Sequence, residues 1–237
     1  MAAPYFIWKN VDSRTFGIWV SQYPDIVRPQ ERVNHLTIAG RAGQLTTTEG
    51  EDIYEPITLQ MRIQLTSNRS NWQNIIDWLS GDSLLVLGRR PNRAYTARLV
   101  SEVAFTKYSN DIAEATLEFE AEPFTQSYPT EDPVVVDVSE SSYTFYNNTD
   151  TVAFPIISLY GTGEVTVTVN ENSLTIADIS NDAILDCGAL MATDALGANI
   201  LDSTTGDFFN LRKGLNTVSW TGDITGITIQ PKWRWLG

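Results

Sequence analysis

The stretch covering residues 116–129 constrains the fold more than any other part of the chain. Its first half alternates apolar and acidic residues with a period of two, which is the pattern of a half-buried β-strand. Pro123 then lacks the backbone donor that a central strand needs, so the strand is predicted to end there or to lie at a sheet edge. Further prolines continue the break. We therefore predict a linker between one domain over 1–126 and a second over 131–237.

The first domain is predicted to be a strand-dominated α+β unit. Ile57–Leu65 alternates five apolar and four polar residues, so one face of this strand meets a core while the other stays in water. Tyr95–Phe105 and Ile112–Ala121 are predicted to pair as a hairpin across 107–111. The one convincing helix of the chain is predicted over about 70–80, between the first of these strands and the hairpin.

An apolar stripe and two end signals indicate this helix. Residues at the helical spacing are Trp72, Ile75, Ile76 and Leu79. Ser70, with Gln73 three residues later, forms a capping-box pattern, and Gly81 stands where a left-handed residue is expected after the last turn. A helix this short is marginal alone, so it must dock on a sheet.

A long polar segment follows the strand predicted at Val33–Ile38. Gly40-Arg41-Ala42-Gly43 is predicted to turn into a loop over Gln44–Tyr54. A phosphate-cradling role for the glycines is disfavoured, because no Lys-Ser/Thr follows and no helix opens here. Loops this long usually carry function, so we predict an arm that reaches a neighbouring subunit. Its candidate interface residues are Arg41, Gly43, Gln44, Thr47, Glu49, Glu51 and Tyr54.

The second domain is predicted to be an antiparallel β-sandwich, because short β-rich segments alternate with turn residues at regular intervals. Gly161-Thr162-Gly163 and Asn170-Glu171-Asn172 are interpreted as hairpin turns, each with a separate strand on either side. Asn216–Trp220 and Gly226–Pro231 are predicted to be two further strands.

Two groups of residues are candidates for docking partner proteins. The first is the turn that carries Arg89, Arg90 and Arg93, which fits a solvated tip or an interface to an acidic partner better than a nucleic-acid patch. The second is Trp233 with Trp235. Together with Trp220 they alternatively form a sugar-stacking platform or pack as part of a core and its rim.

The formal charge of −13 is concentrated in the second half of the chain. Residues 1–125 hold 12 Lys and Arg against 15 Asp and Glu, a net of −3, and residues 126–237 hold 4 against 14, a net of −10. Such a surface repels phosphate, so DNA and RNA are not expected to bind. No apolar run is long enough to span a membrane, and the first residues lack the pattern of a secretory signal.

Reactive chemistry is sparse in this sequence. Cys187 is the only cysteine, which rules out an internal disulfide, and its apolar surroundings predict a buried structural thiol. His35 is the only histidine, so a histidine metal cage is impossible, and no catalytic motif is recognisable. We predict no catalytic residue, no cofactor and no metal. A glycosidase pair of carboxylates needs only spatial proximity, and the sequence leaves it open.

Several motifs, in this order along the chain, resemble the distal tail protein family of siphophages and prophages. In the first domain they are Asn10-Val11-Asp12-Ser13 with Phe16-Gly17-Ile18, then Gly40-Arg41-Ala42-Gly43 and Glu122-Pro123-Phe124. In the second they are Asn147-Asn148-Thr149 with Pro155, Gly161-Thr162-Gly163, Ile184-Leu185-Asp186-Cys187, and the segment from Gly214 to Trp220. The resemblance covers nearly the whole chain.

The resemblance implies a mainly β fold with two domains. The first is a tail-tube-like β-sandwich or split barrel with one helix, and the second is a galectin-like β-sandwich. It further implies a structural protein that forms a homohexameric ring at the virion tail tip after assembly in the host cytoplasm. The implied partners are the tail tube protein, a tail-tip protein and receptor-binding proteins, while DNA passes through without specific binding. A carbohydrate-binding adhesion module is the alternative, and an enzyme the third choice.

Overall fold

The computed structural model describes residues 3–48, 50, 52–66, 71–107 and 112–237. The chain divides into two compact units, of which the first runs to Pro129 and also takes Leu236–Gly237, and the second is Thr130–Trp235. The prediction had placed those last two residues in the second domain. Strands dominate both units, and the described residues contain a single α-helix. The predicted mainly β fold class is confirmed.

Within the described residues, the strands of the first unit form a nine-stranded sheet and a separate hairpin. They are β1 (Phe6–Trp8), β2 (Val11–Asp12), β3 (Ile18–Gln22), β4 (Val33–Thr37), β5 (Gln44–Thr48), β6 (Ile57–Leu65), β7 (Asp82–Leu87), β8 (Arg93–Leu99), β9 (Thr106–Lys107) and β10 (Ala113–Ser127). The main path of the sheet is β2-β1-β7-β8-β10-β6-β3, with β9 paired to β10. The ninth strand, β19 (Arg234–Leu236), also pairs with β10. The predicted strand at Ile57–Leu65 is confirmed as β6, and its apolar face is buried.

Strand β10 corrects the prediction for the junction. It continues through Pro123 to Ser127 instead of ending at the proline. Its pairing with β6 stops at Ala121, and its register with β8 shifts between Ala121 and Thr125. Pro123 therefore lies at a β-bulge, where its missing N–H removes no ladder bond, so the strand tolerates it.

Helix α1 (Trp72–Leu79) docks on the sheet through the predicted stripe. Ile75 and Leu79 are fully buried. The indole N–H of Trp78 donates to the carbonyl of Trp8, and the indole N–H of Trp8 donates to the carbonyl of Trp78, each at 3.1 Å. This reciprocal pair of hydrogen bonds fixes the helix on β1.

The two ends of α1 differ in how well they were predicted. Gly81 has the expected left-handed conformation, with φ of 79°. Ser70 lies outside the described residues, and the N-cap residue Asn71 makes no side-chain cap hydrogen bond. The predicted cap partner Gln73 instead donates to Asp77 Oδ1 at 2.9 Å, one turn further along the exposed face.

The second unit is built on one sheet of very unequal strands. They are β11 (Val134–Val136), β12 (Ser142–Asn147), β13 (Ile156–Val169), β14 (Asn172–Ile179), β15 (Asp182–Asp186), β16 (Met191–Thr193), β17 (Thr204–Gly206) and β18 (Gly214–Gln230). The main path is β11-β18-β13-β14-β17, with β12 on β18 and β15 on β13.

Two long strands replace the four short ones predicted in this unit. Gly161-Thr162-Gly163 lies inside β13 and not in a hairpin turn, and the two predicted C-terminal strands are one strand, β18. The register between β13 and β18 shifts after Tyr160. A Cβ on Gly161 would lie 2.3 Å from the carbonyl oxygen of Asp223, so the glycine permits close strand approach at a bulge. The predicted hairpin at Asn170 is confirmed by the pairing of Val169 with Asn172.

The bulges let β13 serve two sets of neighbours. Its first part, from Ile156, pairs with β15, and its last part, to Val169, pairs with β14. Strands that change neighbours at a bulge are how a sandwich forms its corners. The second core includes the inward residues of both halves and the buried Phe209.

Candidate assembly surface

Strands β4 and β5 form a hairpin, here called the arm (residues 33–48), that pairs with no other described strand. Its register runs from Val33 opposite Thr48 to Thr37 opposite Gln44. Every residue of the arm is exposed except Val33 and Leu45, which are half-buried. The prediction of a loop from Gln44 onward is therefore wrong for its first part, because the β-branched threonines of β5 favour an extended chain.

The two faces of the arm differ in chemistry. Leu36 lies directly opposite Leu45 in the ladder, and Ile38 follows on the same side. Leu36 is 52% exposed and Ile38 is 45% exposed, so the chain leaves much of this apolar face uncovered. On the opposite face, His35 Nδ1 lies 3.1 Å from Thr46 Oγ1. The arm is an amphipathic hairpin whose apolar face is only partly covered by the described chain.

The base of the arm is tied down by a short ladder. The N–H of Arg32 donates to the carbonyl of Ile53 at 3.0 Å, and the N–H of Glu55 donates to the carbonyl of Gln30 at 2.8 Å. Arg32 Nε also forms an ion pair with Glu55 Oε1 at 3.0 Å. These bonds tie the two ends of the arm segment to each other.

The predicted interface residues occupy three different places. Arg41 and Gly43 lie in the exposed turn at the tip, where Gly43 has φ of 82°, and Gln44 and Thr47 are exposed on β5. Tyr54 is half-buried at the base, where its ring meets that of Phe124 edge-on at a centroid distance of 5.7 Å. Glu49 and Glu51 lie outside the described residues. Sequence reasoning missed the apolar face, although the alternation of Leu36 and Ile38 with polar residues indicated it.

A groove of about 480 Å³ opens beside the base of the arm, at the bulge of β10. Its lining residues come from the arm base and from β7, β8 and β10, and they are Arg32, Tyr54, Pro56, Asp82, Thr96, Ala97, Arg98, Glu120, Ala121, Glu122 and Pro123. The two arginines already have acidic partners, since Arg32 pairs with Glu55 and Arg98 Nε lies 3.5 Å from Asp82.

Glu120 and Glu122 add two carboxylates to this groove. Both are exposed on the outer face of β10. Neither forms an ion pair with any residue that the structure describes. The groove, hereafter the acidic groove, thus combines apolar walls with two unpaired carboxylates.

The basic turn lies elsewhere on the first unit. Arg89 is exposed and stands over the ring of Tyr23, 5.6 Å from its centroid. Arg90 Nη1 donates to the carbonyl oxygen of Gly237 at 2.9 Å, so part of its charge serves an internal contact. Arg93 is half-buried at the start of β8. A docking role for these three arginines stays a prediction.

The tryptophans of the second unit are packed and not displayed as a flat platform. Trp233 is half-buried against the second core, with its ring 6.3 Å from that of Phe145. Its N–H donates to Glu131 Oε1 at 2.9 Å. Trp220 is also half-buried against this core, and Trp235 is half-buried in β19. The packing agrees with the interpretation as core and rim, while the docking role of Trp233 and Trp235 stays a prediction.

The side chains that could carry reactive chemistry show no arrangement typical of a catalytic or metal site among the described residues. Burial raises the pKa of the Cys187 thiol to about 11, and the side chain is only 2% exposed. The hydrogen bond from Arg14 holds the pKa of the Asp12 carboxyl below its usual value at a surface turn. Among the described residues, no three His, Cys, Asp or Glu side chains converge as a metal site. No described helix is both long and apolar enough to cross a membrane.

No protein-family model matches the sequence. No curated protein matches it significantly either. Among solved structures, the chain is similar to the crystal structure of Dit (gp 19.1) of phage SPP1, described as a paradigm of the hub adsorption apparatus in phages that infect Gram-positive bacteria. The TM-score is 0.73 over 97% of this chain and 99% of that one, at 16% sequence identity. The expected resemblance to distal tail proteins is thereby confirmed at the level of the fold.

Proposed function

We propose that this protein is a structural component of a phage tail tip. Six copies form a ring that joins the tail tube to the host-adsorption apparatus and leaves a channel for DNA. The fold supports this role, because the similar SPP1 protein is described as part of a hub adsorption apparatus. Its partners are further copies of itself, the tail tube protein, a tail-tip protein and receptor-binding proteins. It acts through contact surfaces and not through catalysis.

The arm is the observation that carries the proposal. A two-stranded hairpin is marginally stable in water unless another layer covers its apolar face. Here Leu36 and Ile38 remain about half exposed, and the described chain offers no such layer. A neighbouring subunit supplies it in a ring, and each subunit both gives an arm and receives one.

The charge distribution supports the passage of DNA without adhesion. The chain carries a formal charge of −13, and no Lys or Arg occurs between Lys107 and Arg212. Affinity for duplex DNA depends mainly on cationic side chains that neutralise phosphates. A surface of this sign repels the backbone, which suits a conduit.

Native mass measurement tests the ring. Six chains of 26.4 kDa give about 158 kDa, and this species is expected to dissociate on dilution. The matched control is a variant with residues 34–47 replaced by a short Gly-Ser linker, which is expected to stay monomeric with its cooperative unfolding preserved. A wild-type protein that is monomeric at all concentrations refutes the ring, as does a deletion variant that assembles as well as the wild type.

A further inference from the structure

The arm and the acidic groove have complementary chemistry. The arm offers an apolar face with Leu36 and Ile38, and a cation at its tip, Arg41. Arg41 is exposed and forms no ion pair with any described residue. The groove offers apolar walls and the two free carboxylates of Glu120 and Glu122. The arm tip supplies a cation, and the groove supplies two carboxylates without an ion-pair partner among the described residues.

The arm does not fill the groove of its own chain, because none of residues 33–48 lines it. Arg32 and Tyr54 form both the base of the arm and one wall of the groove. Six residues of extended chain carry β4 from Arg32 to Ile38, a distance of about 20 Å at 3.3 Å per residue. The groove at the base of the arm is thus left open by the chain's own arm, so a second copy is the source of a tip that fills it.

We infer that the acidic groove of one copy receives the tip of the arm of the next copy. Leu36 and Ile38 cover its apolar walls, and the guanidinium of Arg41 pairs with the carboxylates of Glu120 and Glu122. The contact is head to tail, because the donor and acceptor surfaces are different parts of the chain, and repetition of such a contact closes a ring when the rotation permits. The inference rests on the proposed ring and names the site that receives the arm.

Charge reversal provides the first test, using the full-length chain. Arg41→Glu and Glu122→Arg are each expected to raise the dissociation constant of the assembly about tenfold, because like charges then meet in the contact. The combined variant restores the pair and is expected to return within about threefold of the wild type. Lys213→Glu, a change of the same sign in the second unit, is the control and is expected to leave the constant unchanged.

Crosslinking provides the second test, with a short bismaleimide as the probe. The variant with Arg41→Cys and Glu122→Cys is expected to give covalent multimers, whereas Arg41→Cys with Thr116→Cys is not. Residue 116 lies on the same face of β10, about 20 Å from residue 122. The native Cys187 is buried and does not contribute background.

The outcomes separate this contact from the ring itself. A wild-type chain that never assembles overturns both. An assembly that forms normally, tolerates both charge reversals and crosslinks equally through residues 116 and 122 overturns the contact and leaves the ring standing. Loss and rescue of assembly by the charge pair, together with selective crosslinking at residue 122, support it.

Discussion

Removal of the apolar face of the arm should weaken assembly without weakening the fold. In the double variant Leu36→Ser, Ile38→Ser, the register of the hairpin and the polar face are retained. Complete burial of a leucine or isoleucine side chain contributes roughly 1.5–3 kcal/mol. Leu36 is 52% exposed and Ile38 is 45% exposed, so a partner covers about half of each and gains about 1 kcal/mol per side chain. The loss of about 2 kcal/mol per contact corresponds to a roughly 30-fold weaker contact.

Sedimentation velocity over a range of concentrations measures this change, and thermal unfolding of the isolated chain checks the fold. The melting temperature should stay unchanged, because neither side chain belongs to the first core. Thr37→Ser, between the two positions but on the opposite face, is the matched control. An unchanged dissociation constant in the double variant would show that the apolar face is not the contact, and an equal loss in Thr37→Ser would show that the effect is not specific to it.

Four further expectations follow from the structure. Ile75→Asp places an unpaired charge in the first core and should lower stability by several kcal/mol in denaturant titration; an unchanged midpoint refutes the docking of α1. Gly206→Ala brings a Cβ within 2.2 Å of a backbone oxygen, so it should cost about 1–3 kcal/mol more than Gly197→Ala, where φ is also positive (81° against 115°) but the space is open; equal costs contradict the close approach. Burial raises the pKa of the Cys187 thiol from 9.0 to about 11, so this thiol should resist maleimide until the chain unfolds; rapid labelling of the native chain counts against its burial. Relative to Cys187→Ala, the contribution of the thiol to the free energy of unfolding should be complete below pH 9 and should be lost between pH 9 and 11. The purified chain should show no measurable affinity for duplex DNA near 0.1 M salt, and a shift in fluorescence anisotropy of labelled DNA would contradict the conduit.

The local pattern of apolar and polar residues predicted an element correctly where one face of that element packs on the core of its own unit. Ile57–Leu65 alternates without interruption, and its bounds in the structure are those that the sequence predicted. Helix α1 was found from the spacing of Ile75 and Leu79 with their neighbours, because a short helix can bury only one stripe. In both cases the burial that decides the structure is periodic, so the sequence records it.

Individual glycine and proline residues were harder to interpret, because each of these residue types occurs both in turns that end a strand and at bulges within a strand. Gly161 was interpreted as part of a turn, whereas it permits close approach of two strands at a bulge. Pro123 was interpreted as the end of a strand or a position at a sheet edge, whereas it lies at the bulge that helps to shape the acidic groove. The choice between these uses depends on a strand distant in sequence, and local pattern contains no information about it.

The motifs that carried the family resemblance prove to be structural where their contacts are visible. Asn147 is 1% exposed, and its amide donates to the carbonyls of Thr151 and Leu211 at 3.1 and 3.2 Å. Its Oδ1 accepts from the N–H of Thr149 at 2.9 Å. A buried amide with this set of hydrogen bonds is satisfied only when the chain adopts this particular backbone arrangement. Such motifs therefore predict the fold and carry no information about the partners.

The arm shows why a surface used for assembly is hard to predict from sequence, even when the strands that form it are predicted. The alternation in Val33–Ile38 predicts a strand with one apolar face, but nothing in it says whether the cover comes from the same chain. The structure leaves Leu36 and Ile38 about half exposed, and Arg41 forms no ion pair with a described residue, so this face of the hairpin can still accept a covering layer. The proposed cover is the acidic groove of a second copy, which offers both carboxylates and apolar walls. If that contact forms, assembly depends on two surfaces of the chain that are far apart in sequence, and neither of them identifies the other from its local pattern.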